Sequence, residues 1–421
     1  SYFLQTLYGM ADLFIIGQFG GVDGITAVSN GGQVMHMLTV IIVGMAMGTT
    51  VMIGQAIGAG KKENVAKVIG NTVTMFMIAS VLLMGLALAL TDFIVKWTGI
   101  PEEAVIGTTQ YLRICFIGIP FITAYNIISA IFRGLGDSRS PMIFIGIACA
   151  ANIGLDYLFM GVMNMGPAGA ALGTTLAQTL SVIVSLIAIR KRKTGIELRR
   201  EHFRILKIGI PVAVQDGCIQ VAFIVITVIA NHRGLNDAAA VGVVEKMISA
   251  IFIVPSSMLA TVSTLAAQNM GAGKHDRAEK TLRYAILITS VYGLIMLILV
   301  ECFAGRLVGI FTAEPAVITL GSQYIRGYIL DAVFAGVHFC FSGYFCAYGR
   351  SYIGFIHNIV SILLVRIPGS YLASKLFADT LLPMGLAAPA GSVLSILICI
   401  VAYLILKRQS NKRVDRKSRR Y

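Results

Sequence analysis

Long apolar runs separated by short polar stretches recur along the whole chain, at 2–17, 33–57, 69–90, 107–132, 141–162, 167–189, 205–230, 239–267, 281–303, 318–347, 352–376 and 384–406. Most reach or exceed the roughly 20 residues that a helix needs to cross about 30 Å of hydrocarbon. They lack the short alternation of apolar and polar residues that marks barrel strands. The pattern predicts an all-α polytopic membrane protein of about twelve transmembrane helices. The first run is short and the chain begins at Ser1 inside it, so helix 1 is expected to be truncated.

The chain also repeats itself. Gly58-Ala-Gly-Lys-Lys-Glu-Asn-Val-Ala-Lys67 returns as Gly271-Ala-Gly-Lys-His-Asp-Arg-Ala-Glu-Lys280, a shift of 213 residues. The same shift pairs Gly21 with Gly234, Gln55 with Gln268, Tyr111 with Tyr324, Arg113 with Arg326 and Gly136 with Gly349. Each repeat holds six spans, an even number, so both enter the membrane in the same sense. The expected architecture is two parallel six-helix bundles, 1–189 and 205–406, joined by a basic linker at 190–204 and followed by a basic tail at 407–421. Parallel repeats are a transporter architecture, with substrate expected near the midplane and access alternating between the two sides.

Composition fits a lipid-embedded chain: 57% of residues are hydrophobic and only 13% charged, about half the usual share in a soluble domain. The net charge of +14 would suit nucleic acid if it formed a surface patch. Instead the basic residues gather at helix ends and loops on one side: Lys61, Lys62, Lys67, Arg133, Arg139, the run from Arg190 to Lys207, Lys274, Arg277, Lys280, Arg283, Arg350 and the run from Lys407 to Arg420. By the positive-inside rule both termini are expected in the cytoplasm, with the protein in the inner (plasma) membrane and no nucleic-acid partner. The seven cysteines lie within or beside apolar runs and form no metal-ligand spacing, so they read as packing residues. No phosphate loop and no nucleophile–base or metal cluster points to an enzyme.

Several motifs then carry a family resemblance. They are Leu7-Tyr-Gly-Met-Ala-Asp-Leu-Phe-Ile-Ile-Gly17, Gln55-Ala-Ile-Gly-Ala-Gly60, Phe132-Arg-Gly-Leu-Gly-Asp-Ser-Arg-Ser-Pro141, Asn152-Ile-Gly-Leu-Asp156, Gly166-Pro-Ala-Gly-Ala-Ala-Leu-Gly-Thr174 and Gly209-Ile-Pro211. In order and spacing the chain resembles the multidrug and toxin extrusion family, and within it the prokaryotic branch of DNA-damage-inducible exporters. The resemblance implies an antiporter that exports drugs or lipophilic organic cations in exchange for H⁺ or Na⁺, acting as a monomer in membrane lipid and without a cofactor. It also implies a polar site in the N-terminal half, here Asp12, Asn152 and Asp156, to which Thr174 would add a hydroxyl. The rival reading within the same superfamily is a flippase for lipid-linked saccharides.

The residues themselves support such a site. A carboxylate inside a span costs about 2.5–3.5 kcal/mol on insertion scales, so each asks for a partner or a function. The candidates are Asp12, Asp156, Asp216, Glu245 and Asp331. Asn152 and Asp156 are four apart and share a helix face. If Asp12 meets them, two carboxylates in low dielectric require a shared proton or a bound Na⁺. Asp216, Gln220 and Asp331 are candidates for a substrate cavity in the C-terminal half. Glu245 and Lys246, being adjacent, point about 100° apart and are expected to meet different neighbours. Arg366 lies too deep to snorkel and would neutralise a buried acid. His36, His338 and His357 lack metal-ligand spacing and read as hydrogen-bonded helix residues.

Overall fold

A computed structural model describes residues 11–12, 14–19, 21–97, 100, 102–191 and 203–418. The expected linker therefore lies largely outside the described residues, as does the end of the expected tail. Every regular element among the described residues is helical. The first, α1, covers 11–12 and 14–19. Then come α2 (Val22–Gly58), α3 (Lys62–Ala89), α4 (Thr91–Trp97), α5 (Glu102–Ile117), α6 (Ile119–Gly134), α7 (Arg139–Asp156), α8 (Gly166–Lys191) and α9 (Phe203–Asn231). They are followed by α10 (Leu235–Ile251), α11 (Ile253–Gly271), α12 (His275–Gly309), α13 (Pro315–Ile329), α14 (Asp331–Ala347), α15 (Ser351–Ser361), α16 (Ile367–Leu376) and α17 (Leu382–Ser418).

Ten helical segments of the described chain are long and apolar enough to cross a membrane, and eleven if α5 and α6 form one span bent by 50° at Gly118. The chain is thus a multi-span membrane protein. It divides into two compact units, Ser1–Ala213 and Val214–Tyr421. Each has its own apolar core. The first is built around Ile15, Ile16, Leu112, Phe116, Ile119 and Ala170, the second around Val241, Val244, Ile325, Ile329 and Ala332. Leu82, Ile106, Ile298 and Leu364 are 63–71% exposed, as side chains that face lipid should be. In the second unit the α13–α14 span is the most enclosed, with 72% of its apolar stretch buried against 17% for α12.

Four turns show how the repeated sequence becomes repeated structure. Gly60, Gly136, Gly273 and Gly349 have φ of +71°, +88°, +71° and +66°. At each one the next residue sends its N–H back five positions: Lys61 to Ala56 (3.1 Å), Asp137 to Phe132 (2.9 Å), Lys274 to Asn269 (2.8 Å) and Arg350 to Phe345 (2.8 Å). This left-handed cap satisfies helix-terminal carbonyls at a place where glycine bears no steric penalty. After the second turn Asp137 starts α7, its Oδ1 accepting from the N–H groups of Arg139 and Ser140, both at 3.0 Å.

Two spans depart from regular α geometry. A π-helical turn, Tyr157–Val162, follows α7, and a second, Ile362–Arg366, joins α15 to α16. The second lies just before Pro368, which can donate no hydrogen bond and whose ring crowds the carbonyl four residues back, so a wider turn relieves the conflict.

Replacing Gly349 with alanine should lower the unfolding free energy of the detergent-solubilised protein by about 1–2 kcal/mol, because a β-carbon is strained at positive φ. Gly146→Ala, in α7 where a β-carbon would meet nothing within 4 Å, should leave it unchanged or slightly higher, and thermal and denaturant unfolding compare the two.

Candidate functional site

In the first unit, α7 carries Asn152 and Asp156 on its last turn, and neither side chain is exposed to any degree. Asp12 of α1 is buried as well, at 4% exposure. Thr174 of α8 donates its hydroxyl to Asp12 Oδ2 at 3.0 Å. The Asn152 and Asp156 side chains adjoin the Asp12 carboxyl, so α1, α7 and α8 bring the four residues together.

The feature that sets this cluster apart is its unpaired polar atoms. Asp12 Oδ1, both Asp156 oxygens and both polar atoms of Asn152 are buried without a hydrogen bond of regular geometry. Buried polar groups are normally paired, and leaving them unpaired is costly. Two adjacent carboxylates in low dielectric cannot both remain charged unless a proton or a cation lies between them. The donor set, carboxylate and amide oxygens with a hydroxyl beside them, suits a proton or an oxygen-seeking cation such as Na⁺. Among the described residues no group of three or more His, Cys, Asp or Glu side chains is arranged to hold a metal ion.

Gly173 makes the arrangement possible. A β-carbon there would strike Asp156 Oδ1 and approach its Cγ to 3.3 Å. Gly173 thus admits the Asp156 carboxyl against α8, and the following residue, Thr174, orients Asp12. The sequence motif contained Gly173, but its role depends on a contact between helices that spacing alone does not disclose.

The C-terminal candidates behave differently. Asp216 and Gln220 are half-buried on α9 and make no hydrogen bond with each other or with Asp331. Asp331 is tied to a cation. It is wholly buried, and its Oδ2 accepts from Arg366 Nη2 at 3.1 Å. The expected acid partner of Arg366 is therefore Asp331, which opens α14 after the break at Leu330.

Arg366 also donates to Ser392 Oγ at 2.8 Å, and Ser392 Oγ lies 3.3 Å from His338 Nε2. Arginine can only donate, so Ser392 accepts from it while lying within reach of both Asp331 and His338. His357 is anchored by Ser342, 2.8 Å from Nε2, and its ring meets His338 edge-on at 5.4 Å. Gly391 lets the arginine pass, since a β-carbon there would come within 2.6 Å of Arg366 Cγ.

The two buried acids should respond oppositely to amidation. Asp331→Asn strands the Arg366 charge and should cost about 3–5 kcal/mol of stability, whereas Asp331→Leu combined with Arg366→Met should recover most of that loss. Asp156→Asn supplies Asp12 Oδ1 with a donor and should leave the unfolding temperature unchanged or higher. Thermal unfolding in detergent distinguishes the signs.

Comparison with known proteins agrees with this architecture. The MatE family pattern matches residues 1–158 and 211–372. "Probable multidrug resistance protein YoeA" of Bacillus subtilis (strain 168) is 26% identical over 410 residues, covering 94% of this chain and 89% of the relative. A "FAD transporter" of Shewanella oneidensis is 24% identical over 417 residues, covering 95% and 90%. Among solved structures, "Crystal structure of MATE in the bent conformation" superposes with a TM-score of 0.90 at 22% identity, over 97% of this chain and 93% of that one. At that identity the structural likeness speaks for the fold. The chain belongs to the MatE family of multidrug efflux transporters and is a transporter rather than an enzyme.

Proposed function

We propose that this protein is a secondary active antiporter that exports drugs or lipophilic organic cations in exchange for H⁺ or Na⁺, with the coupling ion taken up at Asp12, Asn152 and Asp156 beside Thr174. The observation that carries the reading is the pair of adjoining buried carboxylates, three of whose four oxygens make no hydrogen bond of regular geometry. A fixed structural cluster would have its donors supplied by the protein. This one is completed only by an ion that can come and go.

When a proton resides on one carboxylate, its O–H can donate to the other and hold α1 against α7. When the ion leaves, two like charges adjoin in low dielectric and push those helices apart. A cycle of alternating access then follows, provided that the ion binds the inward- and outward-open states with different free energy. Thr174 keeps one Asp12 oxygen oriented throughout, so that the approach of Asp156 is selective for Oδ1. The six-helix repeats are the moving bodies of this cycle. The distribution of Lys and Arg supports cytoplasmic termini in the plasma membrane.

Proteoliposomes carrying the full-length protein should export ethidium when either an H⁺ or a Na⁺ gradient is imposed, and one of the two should suffice. Asp156→Asn should abolish the gradient-driven component. Gly173→Ala, which displaces the Asp156 carboxyl, should reduce it by about tenfold or more if the lost coupling is worth at least 1.4 kcal/mol. Gly154→Ala, whose β-carbon would meet nothing within 4 Å, should retain it. If neither gradient drives ethidium while a labelled lipid-linked saccharide crosses the bilayer, the protein is a flippase instead.

A further inference from the structure

Asp216 and Glu245, two half-buried acids within the spans, take part in neither polar cluster described above, and of these Glu245 has a hydrogen-bonding partner on a neighbouring helix. Glu245 lies on α10, inside the span Leu235–Gly271, with its side chain half-buried. Its one hydrogen-bonding side chain among the described residues is Thr227 of α9, whose Oγ1 is 3.0 Å from Oε1 and 3.1 Å from Oε2. The same hydroxyl lies 3.0 Å from the Phe223 carbonyl. A threonine has a single hydroxyl hydrogen, so three acceptors compete for one donor. No Lys, Arg or His among the described residues forms an ion pair with Glu245. Lys246 is exposed and projects about 100° away around the helix.

This differs from the other carboxylate of the second unit that has been followed to its partners. Asp331 has a permanent counter-charge in Arg366 at 3.1 Å, so its charge is already compensated. Glu245 has a hydroxyl to orient it and nothing to neutralise it, while its partial exposure leaves it open to a ligand. Aromatic side chains flank it. Phe223 precedes Thr227 by four residues and shares its face of α9, and Phe252 caps the C-terminal end of α10. Both are partly buried against the core, and Phe252 meets the Tyr328 ring edge-on at 6.1 Å. Tyr324 and Tyr328 lie within electrostatic reach of the carboxylate. One carboxylate and one hydroxyl offer too few oxygens to enclose Na⁺, whereas a carboxylate among aromatic faces suits a bulky cation of low hydration.

We infer that Glu245, oriented by Thr227, is the counter-charge in the C-terminal unit for the positive group of a lipophilic organic cation, such as a quaternary ammonium or phosphonium. This rests on the exporter reading and adds a specificity-determining residue to it. Glu245 sets preference for cations and leaves the coupling ion to the N-terminal site.

The test is equilibrium binding of tetraphenylphosphonium to the full-length purified protein, with Glu245→Gln, Glu245→Asp and Thr227→Val compared with wild type. Glu245→Gln should raise the Kd by about tenfold or more, Glu245→Asp should stay within about threefold, and Thr227→Val should fall between them. An unchanged unfolding temperature for Glu245→Gln shows that the loss is not one of folding. If wild type binds and Glu245→Gln binds equally well, the carboxylate is held protonated as a structural group and the inference is overturned, while the exporter reading stands. If wild type neither binds nor exports the cation, the cation-export reading fails and this inference fails with it.

Discussion

A charged carboxylate in the hydrocarbon of a membrane must be compensated, and this protein does so in different ways. Asp331 is fixed by Arg366, a partner that cannot lose its charge under physiological conditions. Asp12 and Asp156 are set beside one another with a hydroxyl on one oxygen and no hydrogen bond of regular geometry on the other three, and the proposed reading assigns their compensation to a mobile ion. Glu245 has a hydroxyl, partial exposure and aromatic neighbours, and its compensation is assigned to the substrate. On the proposed reading the same physical cost yields a structural clamp, a coupling site and a recognition group, according to what each carboxylate can reach.

Small residues determine what can be reached. Gly173 admits the Asp156 carboxyl against α8, and Gly391 lets Arg366 pass along α17. Gly327 and Gly385 bring the backbones of α13 and α17 together, their Cα positions so close that a β-carbon at Gly385 would lie 3.2 Å from Gly327 Cα. Helix irregularities are placed to the same effect. One π turn begins immediately after Asp156 and the other ends on Arg366, so each key charge lies at a place where the helical register changes.

Much of this was legible in the sequence because membrane helices advertise themselves through length and apolarity. The spans and the repeat at a shift of 213 followed from local pattern, and the repeat paired Gly136 with Gly349 without disclosing that both turn the chain at positive φ. The Asn152–Asp156 face followed from four-residue spacing. Asp12 and Thr174 entered through family likeness, since nothing local links positions 162 residues apart. The depth of Arg366 foretold a buried acid but not which one, because Asp331 is 35 residues away on another helix. The type and depth of Asp331 were visible in the sequence, its partner was not. The π turn at Tyr157–Val162 and the role of Gly173 left no local signature, whereas the second π turn has one in Pro368.

The central claim is that Asp12 and Asp156 hold one exchangeable ion between them, and infrared difference spectroscopy of the full-length protein tests it directly. Spectra recorded as pH is raised, with and without Na⁺, should show a protonated-carboxyl band that disappears on alkalinisation and is missing from both Asp12→Asn and Asp156→Asn. If that band is the same in wild type and both variants, the two carboxylates exchange no proton. If Na⁺ also leaves their carboxylate bands unchanged, they are structural and the coupling ion binds elsewhere.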